Sequence, residues 1–272
     1  MRPAYSLGVT ASEKYTHGHH ESVLKSHTWR TVENSAEFLI PSLTPGLSLL
    51  DVGCGPGTIT VDLARRLAPG SVVGLDASAD VIAQARQFEE PNLSFLVGDA
   101  YALPFDDDSF DIVFTHQTLQ HVARPVEVLR ELRRVVRPGG VVAARDVDYA
   151  GTIWYPELPG LDLWMRIYQQ VHRGNGGEPN AGRLLKAWAL EAGFSSVESS
   201  ASVWNFADET DREWWGSMWE ARVLQSAFAG DALGKSAATQ DQLEEISRSW
   251  RSWAEAPDGW LAMPHGEVLC RG

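Results

Sequence analysis

Cysteine is nearly absent: there are two in 272 residues, Cys54 inside a glycine loop and Cys270 near the end of the sequence. Two isolated thiols offer no disulfide framework, so core packing must hold the chain, and a reducing, cytoplasmic setting is expected. Basic charge is scarce too. Twenty-three lysines and arginines face 36 acids, a formal charge of −13, and no cluster of Lys and Arg stands out that would neutralise a phosphate backbone, which argues against a nucleic acid partner. No apolar run reaches the roughly 18 residues that would span a bilayer, and the first twenty residues lack the apolar core of a signal peptide, so neither a membrane nor secretion is expected. Internal repeats, low-complexity tracts and the CxxC and HExxH spacings are missing as well. His17, His19 and His20 stand too close together to build a tetrahedral site alone, and no metal is expected.

What is present is rhythm. From residue 47 short apolar runs alternate with helical patterns, which predicts βαβ units and a parallel sheet covered on both faces. The strands fall at 47–51, 72–76, 93–97, 110–115 and 141–145, and helices at 58–67, 79–88 and from Pro125 to the Pro138-Gly139-Gly140 stop. Beyond Asp146 the rhythm changes: 161–172, 181–192, 212–228 and 240–254 read as helices and 196–206 as extended. Residues 260–270 read as a closing strand that Pro264, His265 and Gly266 should bend or push to a sheet edge. Residues 21–40 carry apolar side chains at helical spacing, suited to cover the sheet.

The chemistry-bearing motif is LLDVGCGPG, residues 49–57, a buried strand running into three alternate glycines. Gly53, Gly55 and Gly57 let a ligand approach the backbone, and the helix beginning at Thr58 offers unsatisfied N–H groups. Asp76, 19 residues on and ending the second strand, is placed to accept hydrogen bonds from both hydroxyls of a ribose. After the third strand comes Gly98-Asp99-Ala100, whose carboxylate suits an exocyclic adenine amine. These residues imply a nucleoside pocket. A dinucleotide-binding dehydrogenase shares the loop-then-acid pattern, but its glycines run G-x-G-x-x-G rather than G-x-G-x-G. A non-catalytic module of the same fold is the other alternative.

DVGCGPG, VVGLDAS, VGDAYALPFDDDSFDIVF and LRELRRVVRPGG, in this order over residues 47–146, resemble the class I S-adenosylmethionine methyltransferases, ubiquinone/menaquinone-biosynthesis-like branch. The resemblance implies a doubly wound, Rossmann-like α/β fold with seven strands, the last antiparallel and residues 196–206 and 260–270 as the final two. It places the glycine loop by the methionine part of the cofactor, Asp76 on ribose, Ala77 beside adenine and Asp99 on the adenine amine; Asp51 on the first strand, Tyr15 ahead of the sheet, and Thr115, His116 and Gln117 at the carboxyl end of the fourth strand are further candidates to line the cofactor. The domains expected are an N-terminal lid at 1–45, the cofactor-binding core at 46–150, a helical cap on the substrate side at 151–259 that contains the strand at 196–206, and the closing strand at 260–272.

Methyl transfer from a sulfonium is an in-line displacement, and a hydroxyl or thiol acceptor must also lose a proton. Histidine is the natural base. His19 and His20 precede the sheet, in a segment that closes over the cofactor in related enzymes, and His116 follows the fourth strand on the edge where open α/β sheets bind ligands. Asp146, on the same edge, would orient a histidine or hold the acceptor. Ten of the 11 tryptophans lie from Trp154 onward; most should pack the extra helices, with Trp154, Tyr155 and His172 the candidates to meet substrate. The expected enzyme, a monomer or homodimer, methylates a small molecule (a thiol, a phenol or quinol, or an activated carbon) and would suit specialised metabolism.

Overall fold

The computed structural model describes residues 29–272. A parallel core forms first in the chain: β1 (Leu49–Val52), β2 (Val72–Asp76), β3 (Leu93–Val97), β4 (Phe110–His116) and β5 (Val136–Val147). Three more follow: β6 (Ile153–Tyr155), β7 (Ser196–Phe206) and β8 (Trp260–Arg271). The order is β3-β2-β1-β4-β5-β8-β6, with β7 also paired to β8. Residues 261 and 262 of β8 pair with β7 and with β6 at once. Since a strand has two edges, β6 must lie on the edge that β5 occupies further along. Eight strands therefore fill seven lanes, and β8 alone runs against the rest, as the resemblance implied.

Alternation sorts the side chains to two faces. Leu49, Val72, Ile112, Phe114, Val141 and Ala143 face one side, where α1 (Val32–Ser35), the 3-10 turn Glu37–Ser42 and α2 (Thr58–Leu67) cover them through Val32, Ala36, Leu39, Leu63 and Leu67. Leu50, Val52, Val113, Val142 and Ala144 face α4 (Pro125–Val135) and α6 (Leu185–Ala192). A shorter helix, α3 (Ala79–Ala85), packs Ile82 and Ala85 on Phe95 and Cys54. The stretch 181–192, expected in the cap, is therefore a sheet-covering element.

The cap proper is α5 (Pro159–Gly174), α7 (Glu209–Gln225), α8 (Ala227–Gly234) and α9 (Gln240–Glu255). One long helix was expected at 212–228. The chain breaks at Ser226, whose extended backbone and hydroxyl, accepting from Phe228 N, cap a new helix. The cap core also takes in Val147, Trp204, Phe206, Leu261 and Met263, so its interior is continuous with the ends of β5, β7 and β8.

β8 departs from expectation. Pro264 neither bends it nor places it at an edge; the strand runs unbroken between β5 and β7. On the β5 side Pro264 contributes its carbonyl, which accepts from Asp148 N at 2.9 Å. Gly266 is required by close approach instead: a Cβ there would stand 2.0 Å from the carbonyl oxygen of Gly182.

Candidate functional site

The carboxyl end of β1 turns directly into the glycine loop, and those of β2 and β3 lead to Asp76 and to Gly98-Asp99 on the same edge. Gly53, Gly55 and Gly57 all adopt left-handed φ values of +76°, +56° and +86°. A Cβ on Gly53 would meet Thr118 Oγ1 at 2.1 Å and one on Gly57 would meet Phe95 at 2.8 Å, so neither position has room for a side chain. Gly57 is the N-cap of α2, which aims its first N–H groups, from Thr58 on, at the same edge. Beneath the loop Asp51 is buried and accepts from the Thr60 hydroxyl at 2.7 Å; burial pushes its carboxyl up to about 7.

Asp76 closes the loop from the neighbouring strand, its two oxygens accepting from Gly55 N at 3.1 Å and Ser78 N at 2.9 Å. Ala77 beside it is exposed. Gly98 N donates to the Asp76 carbonyl, and the exposed Asp99 accepts from Tyr101 N at 2.9 Å while half-buried Ala100 packs below. The fold thus gathers Asp51, the three glycines, Thr58, Asp76, Ala77 and Gly98 to Ala100 along one edge.

Other expected residues do different work. The hydroxyl of fully buried Thr115 donates to Val52 O at 2.9 Å, stitching β4 to β1 rather than reaching a ligand. Asp146 points to the opposite face from His116 and accepts from Gln120 N at 3.3 Å, bracing the turn Leu119–His121; burial raises its carboxyl to about 8. It cannot orient His116. His172 is sealed: its Nε2 donates to Gln120 O at 2.8 Å, its Nδ1 accepts from Tyr168 Oη, and burial lowers it to about 4. A neutral core histidine tying α5 to that turn cannot meet substrate. Trp154 packs edge-on against Trp164 in the cap core, and Tyr155 is 54% exposed on the outer face of β6. Tyr15, His19 and His20 lie outside the described residues.

His116 does line the recess beside the glycine loop, together with Arg30, Asp51, Gly53 and Thr58. Its Nε2 stands 2.8 Å from Arg145 Nη1. Guanidinium only donates, so Nε2 is the acceptor and the ring proton sits on Nδ1. The lone pair that a general base needs is already engaged, which corrects the expectation that His116 takes a proton. Gln117, held at φ +52°, bridges two distant segments: its Oε1 accepts from Arg30 Nη2 at 2.7 Å, and its Nε2 donates to His265 Nε2 at 2.8 Å.

A row of polar groups, with Arg145 and Glu267 buried, runs beside the recess, and the sequence reading did not include its members Ser200, Ser202 and Glu267. Arg145, 1% exposed, donates through Nε to Ser202 at 3.0 Å and pairs with Glu267 at 3.2 Å, while Glu267 also accepts from Ser200 at 2.7 Å. The indole of Trp204 lies 5.0 Å from the Arg145 guanidinium. Burial pulls Arg145 down to about 10, still cationic at neutral pH. The available signal was a charge inside each apolar strand, AARDV and GEVLC, where charges persist only when paired.

The sequence profile of a methyltransferase domain matches residues 50–144, β1 to β5. An uncharacterised methyltransferase of Schizosaccharomyces pombe is 35% identical over 267 residues, spanning 94% of this chain and 95% of the relative. The chain belongs to the S-adenosylmethionine-dependent methyltransferases. A demethylmenaquinone methyltransferase of Lactococcus lactis is 42% identical to this methyltransferase over 171 residues, covering 56% of the chain and 68% of the relative. Among solved structures, phosphoethanolamine N-methyltransferase 2 of Haemonchus contortus, in complex with phosphomonomethylethanolamine and S-adenosylhomocysteine, shares the fold with a TM-score of 0.54 at 18% identity, over 86% of this chain and 52% of its own. The cofactor of this methyltransferase is S-adenosylmethionine, and the side-chain-free cradle of three left-handed glycines fits it.

Proposed function

We propose that the chain methylates a small aromatic acceptor bearing a hydroxyl, such as a phenol or quinol, at oxygen or at an adjacent carbon. The observation that carries this reading is the ring cluster at the carboxyl edge: Trp29 packs on Trp204, Phe206 and Trp214 with centroids 5.2, 5.6 and 5.4 Å away, and Trp204 lies 5.8 Å from His116. Trp29 and Trp214, only partly buried, give this cluster flat apolar surface that suits an aromatic ring. The Lactococcus lactis relative, a demethylmenaquinone methyltransferase, is named for a quinone-type substrate, which supports this reading.

In this reading Asp76 takes the ribose hydroxyls, Ala77 flanks adenine, Asp99 holds its amine with Gly98 and Ala100 shaping the wall, and the glycine loop, Asp51 and Thr58 receive the methionine end. The cofactor supplies a methyl on an electrophilic sulfonium. His116 lines the recess on the acceptor side, with Gln117 next to it. The acceptor proton leaves to His19 or His20, or to water. The test is transfer of labelled methyl from S-adenosylmethionine to hydroquinone, catechol, benzenethiol and a 1,3-diketone. Label in hydroquinone or catechol is expected. Label in the thiol or the diketone alone would overturn the aromatic hydroxyl, and tight cofactor binding with no transfer to any of the four would leave a silent binding module.

A further inference from the structure

Arg30 stands where the amino acid end of the cofactor must arrive. It lines the recess formed by Asp51, Gly53, Cys54, Thr58 and His116, and among the described residues lining that recess it is the only cation, His116 being a neutral donor by the argument above. A methionine moiety brings an α-ammonium and an α-carboxylate. Asp51 answers the first, buried and pushed up to about 7, and it regains its charge when a cation approaches. The carboxylate has two possible partners in the recess, the N-terminus of α2 and Arg30. A planar guanidinium presents paired N–H groups in the geometry of a carboxylate, and this one is held in place. Its Nη2 donates to Gln117 Oε1 at 2.7 Å and its carbon lies 5.5 Å from the Trp204 ring. The backbone just beyond is fixed by the reciprocal Thr31 and Asn34 cap, by fully buried Val32, and by Trp204 Nε1 donating to Asn34 O at 2.6 Å.

We infer that Arg30 binds the α-carboxylate of S-adenosylmethionine, opposite Asp51, so that the amino acid end is clamped between the segment before the sheet and the loop after β1. The inference rests on the cofactor reading above; the nitrogen-bearing end of Arg30 is shared with Gln117, which also donates to His265.

The probes are S-adenosylmethionine and its decarboxylated form, which keeps the sulfonium and the terminal ammonium and loses only the carboxylate. Titration calorimetry of the full chain should show wild type binding S-adenosylmethionine about 10- to 100-fold more tightly than the decarboxylated form, the range of a charge-assisted pair. In Arg30→Met that preference should collapse while affinity for the decarboxylated form stays; Arg30→Lys should restore part of it. A preference unchanged in Arg30→Met assigns the carboxylate to α2 and overturns the inference. Equal weakening of both ligands overturns it too, since Arg30 would then be scaffold, with thermal melts of each variant separating that result from unfolding. Wild type binding neither probe would instead strike the cofactor reading itself.

Discussion

The two halves of the molecule solve the burial problem with different side chains. The sheet is filled by Val, Leu, Ile and Ala, which alternate between faces and meet helices at regular spacing. The cap is filled by rings: Trp164 meets Trp219 and Trp250 edge-on with centroids 4.8 and 4.9 Å away, and Trp250 meets Trp253 likewise at 5.5 Å. Edge-to-face contacts set the positive rim of one ring against the negative face of the next. This is the setting in which the buried indole N–H groups of Trp164, Trp215 and Trp250, without an oxygen acceptor among the described residues, are tolerated. Small residues pack by pattern, and large ones by mutual orientation.

The sharpest way to break the contrast is Trp164→Ala. Removing the ring at the centre of the cap should cost about 3–5 kcal/mol. Because the cap core runs into β5, β7 and β8, denaturant unfolding followed by fluorescence and by circular dichroism should give coincident transitions; two separate ones would make the cap an independent unit. Gly266→Ala strikes the sheet half by forcing a methyl against Gly182, at an expected cost of about 1–3 kcal/mol in midpoint-derived stability. Asp76→Ala should lower melting modestly, since Gly55 N and Ser78 N lose their acceptor, and weaken cofactor binding by about 1–3 kcal/mol, read by calorimetry on the folded variant.

The smallest effect is one of pH. Asp146, raised to about 8 by burial, keeps its proton in the fold while the unfolded chain has released it above about 4. The folded state then binds more protons, so this contribution to stability falls as pH rises toward 8. Asp51, raised to about 7, acts with the same sign; His172, lowered to about 4, acts oppositely but only below about 6.5. Melting temperatures should therefore decline between pH 6.5 and 8 in wild type, and Asp146→Asn should remove most of that decline.

The same contrast decides how much could be read from the chain. The bounds of β2, β3 and α2 are those expected, because period, glycine and helix-start signals all lie within a few residues of what they mark. The loop from Gly53 to Gly57 and the acid at Asp76 were legible for the same reason. Pro264 misled because a proline's missing N–H says nothing of which neighbour uses its carbonyl, and Ser226 because a cap inside a helical stretch looks like any surface serine. The histidines were the least legible. The proton on His116 is set by Arg145, 29 residues away, and that on His265 by Gln117 at a separation of 148. His172 was a candidate to meet substrate, yet its role is fixed by Gln120, 52 residues earlier. Local pattern carries a glycine's conformation, whereas a ring's tautomer is a property of partners that only folding brings near.

The placement of β8 also orders events in time. The strand that separates β5 from β7 is translated after both. Until it emerges, two long strand edges stand open and the Arg145 side chain has no Glu267 beside it. The glycine loop and its flanking helices precede it in the chain, but the buried charge row closes only when residues 260–271 arrive.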